Sequence, residues 1–263
     1  MNDWAALTEE LGLWTRSGQV PTFWWRDDDA AAHTPALDRL LDLRARLNLP
    51  LSLATVPGKT EPGLVKRLSR EAGVAVLQHG WIHANHAPAG ENKAELGAHR
   101  ALAAVLADVA QGRRQMDRLF GEAWRPILVP PYNRVAPAVV RALPGLGFLG
   151  LSADRPRPAR EVMPGMIQVN THIDIVDWRG TRGFVGEAAA IDSAVSHLRG
   201  RRVAGADVAE PTGLLTHHLV HDEACWRFIA DFASRTIAHP GARWLSAAEA
   251  FAPVPAATGR PPQ

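Results

Sequence analysis

Residues 20–30 read VPTFWWRDDDA, an apolar run that ends in one arginine and three consecutive aspartates. The aromatic residues Phe23, Trp24 and Trp25 predict a buried strand over residues 20–25. Neighbouring carboxylates repel one another, and at the end of a buried strand they need a divalent cation or an arginine as partner. A solvated loop is the alternative. The stretch therefore predicts a strand whose carboxyl end carries either a paired carboxylate or a metal ligand.

Strands and helices alternate over the rest of the chain. Thr34 and Pro35 are an N-cap and a first helical residue, and Gly73 ends a later helix. About seven strand–helix units favour a closed parallel α/β barrel over an open sheet. Further predicted strands span 50–56, 74–79, 127–132, 147–153, 166–175 and 213–218, and predicted helices span 34–49, 61–73, 92–119, 186–199 and 223–237.

The length of 263 residues suits one barrel-sized domain. We expect that domain over residues 20–250, after a helical extension at 1–19 and before a disordered Pro- and Gly-containing tail at 251–263. The net charge is only +2, because 29 basic residues nearly balance 27 acidic ones, so no nucleic-acid partner is expected. The single cysteine, Cys225, excludes an intramolecular disulfide.

The first 20 residues lack the continuous apolar segment of a secretory signal. No stretch reaches the roughly 18 apolar residues that a membrane span requires. We therefore expect a cytoplasmic protein without a membrane span. The sequence leaves its oligomeric state open.

A cluster of histidines follows the third predicted strand, in HGWIHANH at residues 79–86. If this segment is helical, the spacing of four places His79 and His83 on one side of a turn, where they could share a metal ion. His86 could extend that face. The alternative is a polar loop whose histidines form only local hydrogen bonds.

One aspartate and two histidines would supply three ligands and leave a coordination position open, as in catalytic zinc sites. A second aspartate beside them could act as a general base. The last predicted strand ends in LLTHH, and strand alternation directs either His217 or His218 into the barrel mouth as a candidate general acid.

These motifs, in this order, resemble the NodB homology domain of polysaccharide deacetylases, carbohydrate esterase family four. The resemblance covers residues 20–235 and implies a distorted (β/α)7 barrel that removes acetyl groups with a divalent metal. In RDDDA it makes Asp28 the base and Asp29 a metal ligand, with Asp27 as the alternative base. In HGWIH it makes His79 and His83 the other ligands.

Three further segments carry the resemblance. VPPYN matches at Pro131 and Tyr132, and the backbone N–H of Tyr132 would stabilise the oxyanion. DIVDW matches at Asp174, Asp177 and Trp178, of which Asp177 and Trp178 are candidate substrate contacts. LLTHH matches at His217, the implied acid.

The chain departs from the family pattern at Val129, where the family has an arginine that pairs with the base. Arg26 could replace it, because it lies two positions before Asp28 on the same strand face. Arg134, just after PPYN, is the alternative.

The sequence thus favours a metal-dependent deacetylase, with Zn²⁺ as the expected ion and Trp81 and Trp178 as candidate sugar platforms. A cytoplasmic enzyme would encounter a soluble acetylated sugar, a lipid-linked saccharide or a non-sugar amide. Two other functions remain open: a saccharide-binding protein without turnover, and a metal hydrolase that opens a cyclic amide.

Overall fold

Strand β1 (Thr22–Ala30) forms the centre of the sheet in the computed structural model, which describes residues 3–253. It pairs in parallel with β2 (Leu51–Thr55) on one side and with β9 (Thr212–Thr216) on the other. The strands in this range are β1, β2 (Leu51–Thr55), β3 (Val74–His79), β4 (Trp124–Val129), β5 (Gly150–Leu151), β6 (Glu161–Met163), β7 (Met166–Gln168), β8 (Ile173–Asp174), β9 (Thr212–Thr216) and β10 (Arg243–Trp244).

One run of chain, residues 166–174, joins the two ends of the curled parallel sheet. β7 pairs in parallel with β5, and β8 pairs in parallel with β9. The parallel strands thus follow the order β7-β5-β4-β3-β2-β1-β9-β8, and β7 and β8 are the two ends of the predicted strand 166–175. The predicted fold class, a single-domain α/β protein with a distorted (β/α)7 barrel, is confirmed.

The distortion lies after β5. No helix follows this strand; instead β6 and β7 form an antiparallel pair. The helices of the described range are α1 (Asp3–Arg16), α2 (Pro35–Arg46), α3 (Pro62–Leu68), α4 (Leu102–Phe120), α5 (Pro137–Ala142), α6 (Glu187–Arg202), α7 (Glu223–Ala238) and α8 (Ala247–Ala250).

Helix α2 begins as predicted, because the Thr34 hydroxyl accepts a hydrogen bond from the backbone N–H of Leu37 and Pro35 is the first helical residue. Helix α4 begins at Leu102, so the prediction of a start near residue 92 was wrong. Residues before it form a loop whose side chains bond to backbone groups: the Asn85 side chain accepts from the N–H of Ala94. Such side-chain contacts compete with helix formation.

Both ends of the described range pack on the barrel. Helix α1 lies against α6 and buries Trp4, Leu7 and Trp14. Phe251 packs edge-on against Trp24, with ring centroids 5.8 Å apart, and most of the predicted tail, residues 254–263, lies outside the described residues. Within residues 3–253, no helix combines the length and apolarity needed to cross a membrane.

Alternation along β1 separates two environments. Phe23 and Trp25 face the outer layer and pack with the helices, whereas Trp24 belongs to the apolar cluster inside the barrel. Arg26 and Asp28 share the face of Trp24, since side chains alternate along a strand. The barrel interior is therefore apolar at the middle of β1 and charged towards its carboxyl end.

Candidate active site

The three aspartates of β1 point in different directions. Asp28 faces Arg26 inside the barrel, and both Asp28 and Asp27 are almost fully buried. Asp29 has a left-handed backbone with φ of 74°, next to a register shift between Asp27 and Ala30. This bulge turns Asp29 over the barrel mouth beside Asp28, which simple alternation would not allow.

Arg26 holds Asp28 through a bidentate ion pair. Its Nε and one terminal nitrogen donate to the two carboxylate oxygens of Asp28, each over 2.9 Å. The guanidinium, 0 % exposed, also donates to Ser152 and to the side chain of Asn133. Arg26 thus supplies Asp28 with the cation that Val129 cannot provide. Arg134 donates instead to the carbonyl of Lys93.

His79 and His83 meet at the end of β3, but not on a helix. His79 is the last residue of the strand, and the chain turns at Gly80, which has φ of 57°, and again at His83, with φ of 56°. A Cβ at Gly80 would lie 1.9 Å from a carboxylate oxygen of Glu95, so this turn requires glycine. The helical-turn prediction was therefore wrong, although the two imidazoles do converge.

Both imidazoles direct Nε2 at the same oxygen. Nε2 of His79 and Nε2 of His83 each lie 3.2 Å from Oδ1 of Asp29, yet this buried oxygen has no hydrogen-bond partner among the described residues. Nδ1 of His79 donates to the carbonyl of Val129 over 3.1 Å, which leaves the Nε2 lone pair free as a ligand.

This arrangement fits a divalent metal. Ligand atoms at about 2.0–2.2 Å from a tetrahedral zinc are roughly 3.3–3.6 Å apart, close to the observed 3.2 Å contacts. The carboxylate oxygen that lacks a hydrogen bond is the atom a cation would satisfy. Three ligands from protein would leave a position open for substrate or water.

The charges of the site favour a neutral His83 and an ionised Asp29, as metal binding needs, but they favour a proton on His79. Burial lowers the pKa of His83, which keeps this ring neutral. Burial alone would raise the pKa of Asp29, but the neighbouring His79, His217 and His83 lower it far below its usual value. In His79 the nearby Asp29 and Asp28 outweigh burial and raise the pKa, so a metal would displace a proton there.

A second group of possible ligands, formed by His172, His197 and Glu210, does not fit a metal. The two rings stack almost in parallel, with centroids 3.3 Å apart and planes at 11°, so one ion cannot lie in both ring planes. The N–H of Gly213 donates to Nδ1 of His172, so a neutral ring carries its proton on Nε2, the atom that faces Glu210.

His217 is the histidine of LLTHH that faces the mouth. Its ring packs edge-on against Trp178, with centroids 4.6 Å apart, and it lies close enough to Asp29 and Asp174 to contribute to lowering the pKa of these carboxyls. Nδ1 of His217 is buried and has no partner within residues 3–253. Asp174 accepts a hydrogen bond from the Trp178 indole, and burial raises the pKa of this carboxyl.

The other sequence candidates surround this centre at different distances. Tyr132 packs its ring on His83, with centroids 4.5 Å apart, and Pro131 is buried beside Gly80. Trp81 is half-buried in the loop between the two histidines. Trp178 is 38 % exposed beside His217, as a platform requires.

Two candidates are engaged elsewhere. The Asp177 carboxylate accepts the N–H groups of Gly180 and Thr181 and so caps a turn. Its role as a substrate contact stays a prediction. Nε2 of His86 contacts the Arg100 guanidinium, so His86 does not extend the pair of His79 and His83.

Glu95 was missed by sequence reasoning. The residue is 1 % exposed, and its carboxylate accepts hydrogen bonds from the backbone N–H groups of Trp81, Ile82 and Ala84. These contacts hold the loop that carries His83. Glu95 lies twelve residues beyond His83, with Glu91 and Lys93 close by and no motif around it, so no signal in the sequence indicated this role.

The chain resembles known proteins in its fold but not in its sequence. No protein-family model matches the chain, and no curated protein matches it by sequence. Solved structures do match. A candidate polysaccharide deacetylase from Mycobacterium smegmatis is 15% identical, with a TM-score of 0.65 over 87% of each chain. The chain has the fold of these deacetylase barrels.

Two further solved structures share this fold at lower similarity. A family 4 acetyl xylan esterase from Clostridium thermocellum, in complex with cobalt, is 14% identical, with a TM-score of 0.52 over 88% of this chain and 90% of that one. A mutant of a CE4 family pseudoenzyme with restored enzymatic activity is 13% identical, with a TM-score of 0.56 over 88% of this chain and 68% of that one. The structural matches establish the fold, and identities this low leave the activity open.

We predict one tightly bound divalent ion per chain. His79→Ala and His83→Ala should each abolish stoichiometric metal in the purified protein, measured by elemental analysis. His86→Ala and His172→Ala are the matched controls and should keep it. Two ions in the wild-type protein, or loss of one in His172→Ala, would contradict the assignment.

Glu95→Ala should weaken metal binding by roughly 10–100-fold, the usual cost of removing a residue that orients a ligand. The reason is that three loop amides lose their acceptor and His83 is no longer held. Glu91→Ala, an exposed acid of the same loop, should bind metal like the wild-type protein. Competition with a chelator measures both; equal affinities would show that the loop is held by other contacts.

The buried His172 ring should make the folded protein less stable in acid. Burial lowers the pKa of this ring from 6.5 to about 4. Between pH 6.5 and 4 the unfolded chain binds a proton that the folded one does not, so stability present above pH 6.5 is lost as pH falls. A pKa unit corresponds to about 1.4 kcal/mol, which gives about 3 kcal/mol in total.

The control for this effect is His172→Asn, whose side-chain oxygen can still accept the N–H of Gly213. Chemical denaturation at pH 7, 5.5 and 4 should show a smaller loss of unfolding free energy for this variant than for the wild-type protein. Parallel curves for the two proteins would exclude His172 as a source of the acid sensitivity.

Proposed function

We propose that the protein is a metal-dependent deacetylase that hydrolyses N-acetyl or O-acetyl groups on a saccharide or a related amide. One observation carries this proposal: a carboxylate paired with arginine, Asp28, lies next to a cluster that fits a metal, with His217 close enough for its charge to act on Asp29. A base, a Lewis-acid site and an acid are the groups that amide hydrolysis requires.

Asp29, His79 and His83 would hold the ion, and Zn²⁺ is the ion we propose because two imidazoles and one carboxylate suit it. The cobalt in the acetyl xylan esterase supports a divalent transition metal at a barrel of this fold. When bound, such an ion polarises a carbonyl and makes water more acidic.

The protein's own residues would move the protons. Asp28 takes a proton from water, and the water oxygen bonds to the acetyl carbon. The bond from that carbon to nitrogen breaks as His217 gives its proton to the departing amine, and acetate remains. By resemblance to the deacetylase family, the backbone N–H of Tyr132 stabilises the negative oxygen.

The substrate surface lies around His217 and the histidine loop. Trp178 is exposed beside His217, and Trp81 is half-buried beside His83; aromatic faces at such positions can stack on sugar rings. We propose a soluble acetylated sugar as the first substrate to test. A lipid-linked saccharide and a non-sugar amide follow.

Arg26→Ala should lower turnover strongly while the metal content stays near one equivalent. The guanidinium contacts Asp28 and no proposed metal ligand, so its loss leaves a buried base without its counter-charge. Arg134→Ala is the control and should retain activity, because among the described residues this side chain donates a hydrogen bond only to the Lys93 carbonyl. Equal losses in the two variants would remove Arg26 from the site.

Acetate release from a panel of acetylated sugars and amides, with and without added Zn²⁺, tests the function itself. The proposal expects release that a chelator abolishes and metal restores. Saccharide binding without acetate would instead indicate a binding protein. A product whose mass increases by one water without acetate release would indicate a hydrolase that opens a cyclic amide.

A further inference from the structure

Asp27 is the aspartate of RDDDA that the proposed chemistry does not use, yet it is fully buried. Its carboxylate accepts three hydrogen bonds from the end of β9. Oδ2 accepts the Thr216 hydroxyl over 2.6 Å and the His218 N–H over 3.0 Å. Oδ1 accepts Nδ1–H of His218 over 2.5 Å. These hydrogen bonds tie the buried Asp27 carboxylate to one segment of the chain, residues 216–218.

That segment brackets His217. Thr216 and His218 are the sequence neighbours of His217. Asp27 accepts hydrogen bonds from both, from the outer face of the sheet. Because side chains alternate, the ring of His217 points the opposite way, into the mouth against Trp178. Fixing the residues on both sides of His217 therefore fixes the direction of its ring.

Two further contacts hold the same segment, residues 216–218, in place. The Trp25 indole donates to the Thr216 hydroxyl over 2.8 Å, so this oxygen is oriented to donate to Asp27. The N–H of His217 donates to Nε2 of His221 over 3.0 Å. The backbone of His217 is therefore held through its own N–H as well as through both neighbours. In contrast, its buried Nδ1 has no partner among the described residues.

We propose that Asp27 is a positioning residue for proton donation by His217, acting through Thr216 and His218. The inference rests on the proposed function, in which His217 protonates the leaving amine. It assigns a separate role to each carboxylate of RDDDA: Asp27 orients the acid, Asp28 is the base, and Asp29 is a metal ligand. Without Asp27 the acid would still be present but displaced from the leaving group.

The dependence on leaving group tests this proposal. An amide needs a proton on its departing nitrogen, whereas 4-nitrophenolate leaves from 4-nitrophenyl acetate without one. Asp27→Asn should therefore lower kcat for the best amide substrate by about 10–100-fold, part of the usual 10²–10⁴-fold worth of a positioned acid. The kcat for 4-nitrophenyl acetate and the metal content should change little.

Matched variants separate positioning from loss of stability. Thr216→Val removes one donor without changing shape and should show the same selective loss, and Thr216→Ser should restore the amide activity. Glu210→Gln makes the same carboxylate-to-amide change at another fully buried acid, which accepts backbone N–H groups from Arg157 and Asn170. It should affect both substrates equally.

Equal losses for amide and ester in Asp27→Asn and Thr216→Val would overturn the positioning role. If the wild-type protein hydrolyses neither substrate, the proposed function fails, and the NMR signals of the His217 ring decide the positioning alone. The proposal expects these signals to shift in Asp27→Asn and Thr216→Val but not in Glu210→Gln. Unchanged signals would contradict it.

Discussion

The Arg26 guanidinium is the charge around which the mouth of the barrel is organised. It is fully buried and pairs with Asp28, and it also donates to Ser152, to the carbonyl of Ala153 and to Asn133. A buried charge without partners is strongly destabilising, so the segments after β4 and β5 must approach β1. The same contacts that satisfy Arg26 fix the direction of Asp28.

Much of this could be predicted from a single stretch of sequence. Alternation along β1 places Arg26 and Asp28 on one face and Asp27 on the other. The ends of other parallel strands then bring His79 and His217 to the same edge. Strand periodicity is a local property, so the directions of Arg26, Asp27 and Asp28 follow without knowledge of the remaining chain.

Other features depend on contacts that local patterns do not encode. His83 reaches Asp29 through left-handed turns held by Glu95, and the spacing of four between the histidines arises from a loop instead of a helix. The start of α4 was placed ten residues too early because loop-forming contacts of Asn85 and Glu95 overrode helical composition. The stacked pair of His172 and His197 had no sequence signal, since its members lie 25 residues apart.

Asp28 and Asp29, adjacent carboxylates of β1, have different proposed roles. Metal titration of Asp28→Asn and Asp29→Asn, with acetate release measured on the same samples, tests this difference most directly. The account predicts that Asp29→Asn binds no stoichiometric metal. It predicts that Asp28→Asn binds one equivalent and loses turnover by roughly 10²–10⁴-fold. An Asp28→Asn protein that binds no metal, or one that retains full turnover, would contradict the account.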